Sequence, residues 1–308
     1  MGIFTEKNKV VSIQGAAQLI QDGDTIAVGG ALSARQPMAL IRELIRQGKK
    51  NLSSVGGAHG VDVDLMCAAK LVKSVQHSYV GFENDFGLAP NYRRACQEGR
   101  VEVLETDCNV ILQRLRAAHF GVPFLPMPRL AGTDLLTGNP AFKTITCPFT
   151  GETLTAVAAL RPDVAIIHGL KGDRAGNVHL PHPHFADNLL AMTALKTVVT
   201  VEEIVTEEEV RELGVVIPYY CVTALAEVPF GAHPTSCYPA YAYDRRHLAE
   251  YVRLAKLGDE TFQKDYLDVY VNPVTHEEYL GRVGDAEHFA SIVGWKDGVT
   301  AWKEVFAG

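Results

Sequence analysis

The chain has 308 residues, a formal net charge of -7 and 47% hydrophobic residues. This length and composition suffice to bury a full core and suggest a single domain over residues 1–308. The acidic balance offers no overall attraction to nucleic acid or to an anionic membrane. The sequence contains no uncharged apolar run of about 18 residues and no signal-peptide core at its start. We therefore expect a cytoplasmic protein with neither nucleic-acid nor membrane partners.

The cysteines are scattered singly along the chain. None of the six forms a C-x-x-C pair or a zinc-finger spacing with another. Reduced thiols in a cytoplasmic protein are the simplest interpretation, with most of the cysteines acting as small buried apolar residues. The sequence thus predicts neither a structural zinc site nor a cysteine nucleophile.

The first half of the chain alternates short apolar runs with segments of helical period, the pattern of stacked βα units. It predicts strands at residues 25–29, 51–55, 74–80 and 101–105. Helices are predicted between them, at 13–21, 37–47, 61–70, 91–98 and 109–120. We expect an α/β fold in which helices flank an open, mostly parallel sheet.

Residues 121–153 are rich in proline and glycine and predict a long connection or cap. A second βα series is predicted after it, with strands at 164–168, 197–201 and 219–228 and helices at 188–194, 207–213 and 247–257. The acidic run 202–209 is interpreted as a solvated helix start. From about residue 259 the chain is polar and aromatic, which favours a wrapping tail over a core element.

The turn after the first predicted strand is a candidate ligand site, because open α/β sheets bind ligands at the carboxyl ends of their strands. Here Gly29 and Gly30 let the backbone approach a ligand, Ser33 offers a hydroxyl, and Arg35 could pair with a carboxylate or phosphate. The segment lacks the G-x-G-x-x-G nucleotide fingerprint. A purely structural turn is the alternative.

A second glycine turn is predicted after the next strand. Gly56 and Gly57 precede a helix, and Asp62 and Asp64 are interpreted as residues that cap its positive end. The pair of glycines is a candidate part of the same substrate site.

Two carboxylates, Glu83 and Glu105, follow the third and fourth predicted strands in apolar surroundings. Each is either a solvated loop residue or a group tuned by partial burial for acid–base or nucleophilic work. The sequence alone leaves this choice open, and we treat Glu105 as a candidate catalytic residue and Glu83 as a candidate substrate-binding residue.

A histidine-rich segment contains His179, His182 and His184. Imidazoles bind zinc and iron, but the intervening prolines and the absence of a paired Glu or Cys ligand at a familiar spacing favour a loop without metal. Three isolated histidines are interpreted as structural: His59, His119 and His168.

Four stretches resemble the A (alpha) subunits of family I CoA-transferases, in particular the glutaconate CoA-transferase type, over residues 12–282. They are GGALSARQPMALIRELIRQGKKNL from Gly29, the Gly56-Gly57-Ala58-x-Gly60 turn with Asp62 and Asp64, PDVAIIHGLKGDRAGNV at 162–178, and PFGAHPTSCYPAYAYD at 229–244. The last is the most specific of the four.

The resemblance implies exchange of CoA between (di)carboxylic acids through a glutamyl-CoA thioester. It places the nucleophilic glutamate on a partner B (beta) subunit, in an α2β2 assembly, with CoA present only as part of the substrate and no bound cofactor. This chain would supply walls of the cleft, and Arg35 would lie near the distal carboxylate of the acyl group. Replacing Arg35 would then weaken substrate use and leave the fold intact.

The segment around Glu105 resembles two relatives that are not transferases, the steroid ring-opening CoA hydrolase and the methylglutaconyl-CoA decarboxylase. In the hydrolase the glutamate that matches Glu105 is catalytic, so the resemblance implies a catalytic role for Glu105 if this enzyme is a hydrolase or lyase. A non-enzymatic effector-binding domain, which shares the broad fold, is a further alternative. Transferase, hydrolase and lyase therefore all stay open, with a CoA ester as their common substrate.

Overall fold

A parallel β-sheet forms the centre of the fold. The computed structural model describes residues 8–128, 130, 133–272 and 275–294, without the side chains of residues 83, 84 and 137. Within these residues the strands are β1 (Thr25–Val28), β2 (Leu52–His59), β3 (Val72–Val80), β4 (Glu102–Val103), β5 (Phe124–Met127), β6 (Phe142–Thr146), β7 (Thr153–Ala158), β8 (Val164–Gly172), β9 (Val178–His179), β10 (Lys196–Ile204) and β11 (Ala224–Glu227). The main sheet has the order β11-β10-β8-β1-β2-β3-β4 with all pairs parallel, and β9 adds antiparallel to β8. The predicted fold class is confirmed.

Helices cover both faces of this sheet. In the described residues they are α1 (Ile13–Gln18), α2 (Met38–Arg46), α3 (Val61–Ala68), α4 (Glu83–Phe86), α5 (Pro90–Gln97), α6 (Cys108–His119), α7 (Leu135–Gly138), α8 (Asp187–Thr193), α9 (Glu207–Leu213), α10 (Arg245–Lys256), α11 (Asp259–Phe262), α12 (His276–Val283) and α13 (Ala286–Val293). Successive strand residues point to opposite faces. Ile26 therefore joins the core that includes α2 and α3, whereas Ala27 joins the core that includes α6 and α8. None of these described helices has the length and apolar character needed to cross a membrane.

Several predicted boundaries differ from the observed ones. The strand predicted at 51–55 continues to His59, so the glycine pair lies inside β2. The strand predicted at 219–228 is a 3-10 turn at Tyr219–Cys221 followed by the shorter β11, and Lys9 Nζ donates a hydrogen bond to the carbonyl oxygen of Val222 where the two meet. The strand predicted at 101–105 is reduced to β4 at the sheet edge.

The proline-rich segment 121–153 differs from the expected connection or cap. Together with β7 it forms a separate antiparallel sheet in the order β5-β7-β6. Buried Phe142 and Val157 pack against Val110 of α6. The β-branched residues of β6 and β7 explain why a strand pair forms despite the neighbouring prolines.

The segment from Asp259 also differs from the expectation of a wrapping tail. It folds into α11, a π-helix at Gln263–Val271, α12 and α13. Phe262, Tyr266 and Val271 are at most 1% exposed and belong to the main core. Aromatic residues bury large apolar areas even when polar residues separate them, which explains the difference. The division of the chain into a single domain stays a prediction.

Candidate functional site

The turn after β1 is tightly packed. Gly30 has a φ of +76°, and a Cβ at this residue would lie 2.4 Å from the carbonyl oxygen of Ala34. A Cβ on Gly29 would lie 2.8 Å from a carboxylate oxygen of Asp187. Both glycines are therefore needed because other parts of the protein pack too closely against them to leave room for a side chain.

Arg35 forms a buried ion pair at the end of this turn. Its Nη1 lies 2.5 Å from Oδ2 of Asp187, the first residue of α8, and its Nη2 donates to the carbonyl oxygen of Pro183 at 2.6 Å. The other oxygen of Asp187 accepts the N–H of Gly30 at 2.7 Å. The Arg35 and Asp187 side chains are only 3% and 0% exposed, respectively. Asp187 thus joins the glycine turn to the segment that carries the histidine-rich loop.

This geometry changes the expectation for Arg35. Its guanidinium already donates hydrogen bonds to Asp187 and to the carbonyl oxygen of Pro183. Direct contact between Arg35 and a substrate carboxylate stays a prediction. Removing one partner of a buried ion pair leaves the other charge uncompensated. The expectation that the fold would tolerate the loss of Arg35 is therefore revised.

Gly56 and Gly57 lie in β2 and not in a turn, which corrects the predicted strand end. A Cβ on Gly56 would lie 2.6 Å from Cε1 of His77 and 2.7 Å from Nε2 of His59, so glycine makes room for two imidazoles against the sheet. Gly57 has open space beside it. A substrate contact of either residue stays a prediction.

Two buried aspartates follow β2, and neither acts as the simple helix cap that the sequence suggested. Asp62 lies 2.5 Å from Nδ1 of His59 and accepts the N–H of Gly60. Burial opposes ionisation of Asp62, but the neighbouring His59 lowers its pKa below the ordinary value. Asp64 accepts from Tyr251, Asn91 and the N–H of Tyr92, and burial raises its pKa to about 6. Both carboxylates tie their own helix to neighbouring segments.

A cavity of about 280 Å³ opens at the carboxyl ends of β1, β2 and β3. Its lining includes Leu32 and Ser33 from the first turn, Val61 from the start of α3, and Phe82 after β3. Ser33, a predicted substrate residue, is thereby placed at a cavity in the expected region. The backbone carbonyl of Ser33 accepts hydrogen bonds from Ser236, and within the described residues its hydroxyl has no partner.

The two candidate glutamates occupy different positions. Glu105 is exposed in the loop after β4, where its backbone oxygen accepts the side-chain amide of Asn139 at 3.0 Å. Glu83 begins α4, but its side chain lies outside the described residues. An exposed carboxylate at the edge of a sheet can reach a ligand or a partner protein, and no catalytic role follows from its position alone.

A model of the coenzyme A transferase family matches residues 10–227 of this chain, which is more than half of it. The chain belongs to the coenzyme A transferase family. The A subunit of glutaconate CoA-transferase from Acidaminococcus fermentans is 32% identical over 90% of this chain and 92% of that subunit. The crystal structure of that enzyme superposes with a TM-score of 0.86 over 92% of this chain and 95% of the matched chain. The predicted resemblance and the predicted enzyme class are confirmed.

Other members of the coenzyme A transferase family show how far the likeness extends. The A subunit of 3-oxoadipate CoA-transferase from Pseudomonas knackmussii is 35% identical over 82% of this chain and 90% of that subunit. The cholesterol ring-cleaving hydrolase IpdA subunit of Rhodococcus jostii is 31% identical over 82% of this chain and 89% of its own length. A protein of Archaeoglobus fulgidus is 37% identical over 92% of this chain, and the match spans 64% of that protein's length. A structure of a variant of the decarboxylase AibA/AibB superposes with a TM-score of 0.78 at 30% identity, over 86% of this chain and all (100%) of the matched chain.

One acidic residue of this transferase-family chain has a structural role that sequence reasoning missed. Glu202 belongs to β10 rather than to a solvated helix start, and its side chain is 11% exposed. It accepts from the N–H of Phe230 at 2.6 Å, from Tyr241 at 2.6 Å, and lies 2.6 Å from Nε2 of His168. His168, which the sequence presented as an isolated histidine, is therefore paired with Glu202. Through these hydrogen bonds Glu202 fixes residues 229–244 against β10. This segment carries the most specific resemblance to the CoA-transferase A subunits.

A second buried carboxylate, Asp244, is the last residue of the same 229–244 motif. Its Oδ2 lies 3.0 Å from His233 and 2.5 Å from His288, and its Oδ1 accepts the N–H of His247. Burial alone would raise the pKa of Asp244, but the hydrogen bond from His233 and the other donors hold it well below the ordinary value. The clusters around Glu202 and Asp244 have metal-like spacing, yet hydrogen bonds already occupy their carboxylate and imidazole atoms.

The three histidines of the histidine-rich loop do not converge on a shared position at which a metal ion could bind. Nδ1 of His179 is hydrogen-bonded to the carbonyl oxygen of Gly214 at 2.8 Å. The rings of His182 and His184 stack with centroids 3.9 Å apart. In the part of the chain that the structure describes, none of the three belongs to a group close enough to share a metal ion.

Proposed function

We propose that this chain is the A subunit of a heteromeric CoA-transferase that moves CoA between carboxylic acids. The observation that supports this most is the match to A subunits of transferases over nearly the whole chain. CoA enters as part of the substrate, and the nucleophilic glutamate belongs to the partner B subunit. This chain contributes the cavity wall around Ser33 and the edge around Glu105.

We expect this chain to require a B subunit for activity. Co-expression with its B subunit is expected to give a stable complex, with α2β2 stoichiometry as our proposal, measured by light scattering after size-exclusion chromatography. Acyl-CoA incubated with the complex is expected to leave a glutamyl-CoA adduct on the B subunit, detected by mass spectrometry. Turnover of acyl-CoA by the isolated chain at enzymatic rates would contradict the proposal.

A hydrolase or lyase that uses Glu105 is the second candidate. It is favoured by the exposure of Glu105 at the end of β4 and by the likeness to a ring-cleaving hydrolase and a decarboxylase. A general acid or base contributes at least about 10²-fold to a rate, so a catalytic Glu105 is essential only in this alternative. The effector-binding alternative has no comparable support, because the named relatives of this chain are enzyme subunits.

The Glu105→Gln variant separates the two candidates. In a transferase whose nucleophile lies on the B subunit, we expect kcat to fall less than about 10-fold, because the partner still forms the adduct. The measurement is steady-state CoA transfer together with adduct detection. Glu102→Gln changes an exposed glutamate of β4, three residues before Glu105, and is the matched control. A loss of about 10²-fold or more in Glu105→Gln alone, with no adduct on B, would favour the hydrolase or lyase.

A further inference from the structure

The wall of the cavity at the carboxyl ends of β1, β2 and β3 is largely apolar. Leu32, Val61, Phe82, Phe86 and Leu248 line it with apolar side chains. Val61 and Leu248 are at most 4% exposed, so this wall belongs to the rigid core and is preformed. A cavity of about 280 Å³ lies just below the usual range for drug-sized ligands and fits a short acyl chain.

The polar groups of the cavity wall are mainly hydroxyls. The Thr235 hydroxyl is already bonded, since it donates to the carbonyl oxygen of Ala232 and accepts the N–H of Gln36. Ser33 and Tyr243 also line the wall, and the Tyr243 hydroxyl donates to Oδ2 of Asp85 at 2.6 Å. Burial, followed by the hydrogen bond to Asp85, raises the pKa of Tyr243 to about 12, so this hydroxyl stays neutral.

The charge at the cavity is negative. Among the described residues, Asp85 is the only lining residue with a carboxyl group, and no lysine, arginine or histidine lines the cavity. The nearest cation that contacts it is Arg245, whose Nε lies 3.5 Å from Asp85. That contact is long and the Arg245 side chain is 59% exposed, so solvent screens it. Arg35, the cation that the sequence suggested for a substrate carboxylate, is paired with Asp187 and does not line the cavity.

We infer that this cavity takes the acyl group of the CoA ester and selects a chain with an apolar, uncharged end over one that ends in a carboxylate. The inference rests on the proposed CoA-transferase function and narrows its substrate class to monocarboxylic acyl groups. A second carboxylate would meet apolar side chains and the like charge of Asp85 with no unpaired cation on the described wall to receive it. The two transferase relatives described above carry the names of dicarboxylic acids, so this chain would differ from them in acyl selection.

The experiment compares two acyl donors that differ only at the end of the chain. Valeryl-CoA ends in a methyl group, whereas glutaryl-CoA ends in a carboxylate at the same position. For the complex of this chain with its B subunit, we expect kcat/KM for valeryl-CoA to exceed that for glutaryl-CoA by at least about 10²-fold. Asp85→Asn is expected to narrow that ratio by at least about 10-fold, because the amide can still accept from Tyr243 but carries no charge.

Two further variants keep the test specific. Asp259→Asn is the matched control, since Asp259 is also an exposed aspartate that pairs with an arginine, here Arg94 at 2.5 Å. Its ratio is expected to equal that of the wild type. Arg245→Gln is made in the Asp85→Asn background, where it cannot increase the negative charge at Asp85, and we expect no further fall in the relative use of glutaryl-CoA. Such a fall would identify Arg245 as a carboxylate receptor and would overturn the inference.

Other outcomes separate this inference from the proposed function. Equal or preferred use of glutaryl-CoA, or an unchanged ratio in Asp85→Asn, overturns the inference while the transferase proposal stands. If the complex transfers CoA from neither donor, the transferase proposal fails. Binding of the two thioesters, measured by isothermal titration calorimetry, then still decides the inference: tighter binding of valeryl-CoA supports it, and equal or tighter binding of glutaryl-CoA overturns it.

Discussion

Replacing Arg35 with methionine is expected to lower the free energy of unfolding by about 3–5 kcal/mol. The Asp187 side chain is 0% exposed, so the substitution leaves a buried carboxyl group without its ionic partner. The N–H of Gly30 is the other donor to this carboxylate, and a neutral donor alone does not compensate a buried charge. Methionine preserves most of the length of the side chain, so the effect reports the lost charge and its hydrogen bonds. Urea denaturation followed by circular dichroism measures it.

A surface arginine provides the control for this result. Arg253 pairs with Glu250, but its side chain is 58% exposed, so Arg253→Met is expected to cost less than about 1 kcal/mol. Adding Asp187→Asn to Arg35→Met is expected to recover part of the lost stability, because the buried charge is then removed. Equal stability of Arg35→Met and the wild type would show that the pair is not needed for the fold, and would restore the original interpretation of Arg35 as a residue held for the substrate.

Acidification from about pH 7 to about pH 4.5 is expected to cost about 2–3 kcal/mol of unfolding free energy through His276 alone. Burial, followed by the charge of Arg42, lowers the pKa of His276 to about 3. An unfolded histidine titrates near pH about 6.5, so below that pH the unfolded state binds a proton that the folded state excludes. The stability from this group is complete above that value and is lost progressively as the pH falls toward 3.

The His276→Gln variant isolates this contribution. Glutamine can still donate to the carbonyl oxygen of Pro229, which His276 contacts at 2.7 Å, but it does not titrate. Asp64 acts in the opposite direction, because its pKa is raised to about 6 and the folded state gains stability as the pH falls through that value. That effect is common to both proteins and cancels in their difference. The exposed His119, changed to Gln, is the control, and an identical pH dependence of His276→Gln and wild type would contradict the prediction.

The order of strands and helices was predictable from the sequence because it depends on local patterns. Apolar runs and glycine or proline punctuation fix where β1 and α2 lie, and the match of Ser33 to a cavity wall follows from the rule that ligands bind at strand ends. The helix α9 was predicted at the observed residues, 207–213, because its Thr206–Glu209 capping box is a strictly local feature.

The partners of buried polar residues were not predictable, because they come from distant parts of the chain. Arg35 meets Asp187 over a separation of 152 residues, and Asp64 meets Tyr251 over 187. Glu202 looked like part of an acidic surface run, since its N–H and O–H donors at 230 and 241 lie beyond any sequence window. A single sequence shows that such a residue is acidic, but it does not show which distant groups donate hydrogen bonds to its carboxylate.

The packing of α11 and the π-helix in the main core affects how the chain folds. The helix α2 at Met38–Arg46 contacts the π-helix at Gln263–Val271, so this part of the core joins two segments that lie far apart in the sequence. Contacts of such high sequence separation form late, because a long loop must close before they contribute. During translation the apolar face of α2 is therefore without this cover until residues 263–271 leave the ribosome. We expect the chain to depend on chaperones during this interval and to bind its partner only after release.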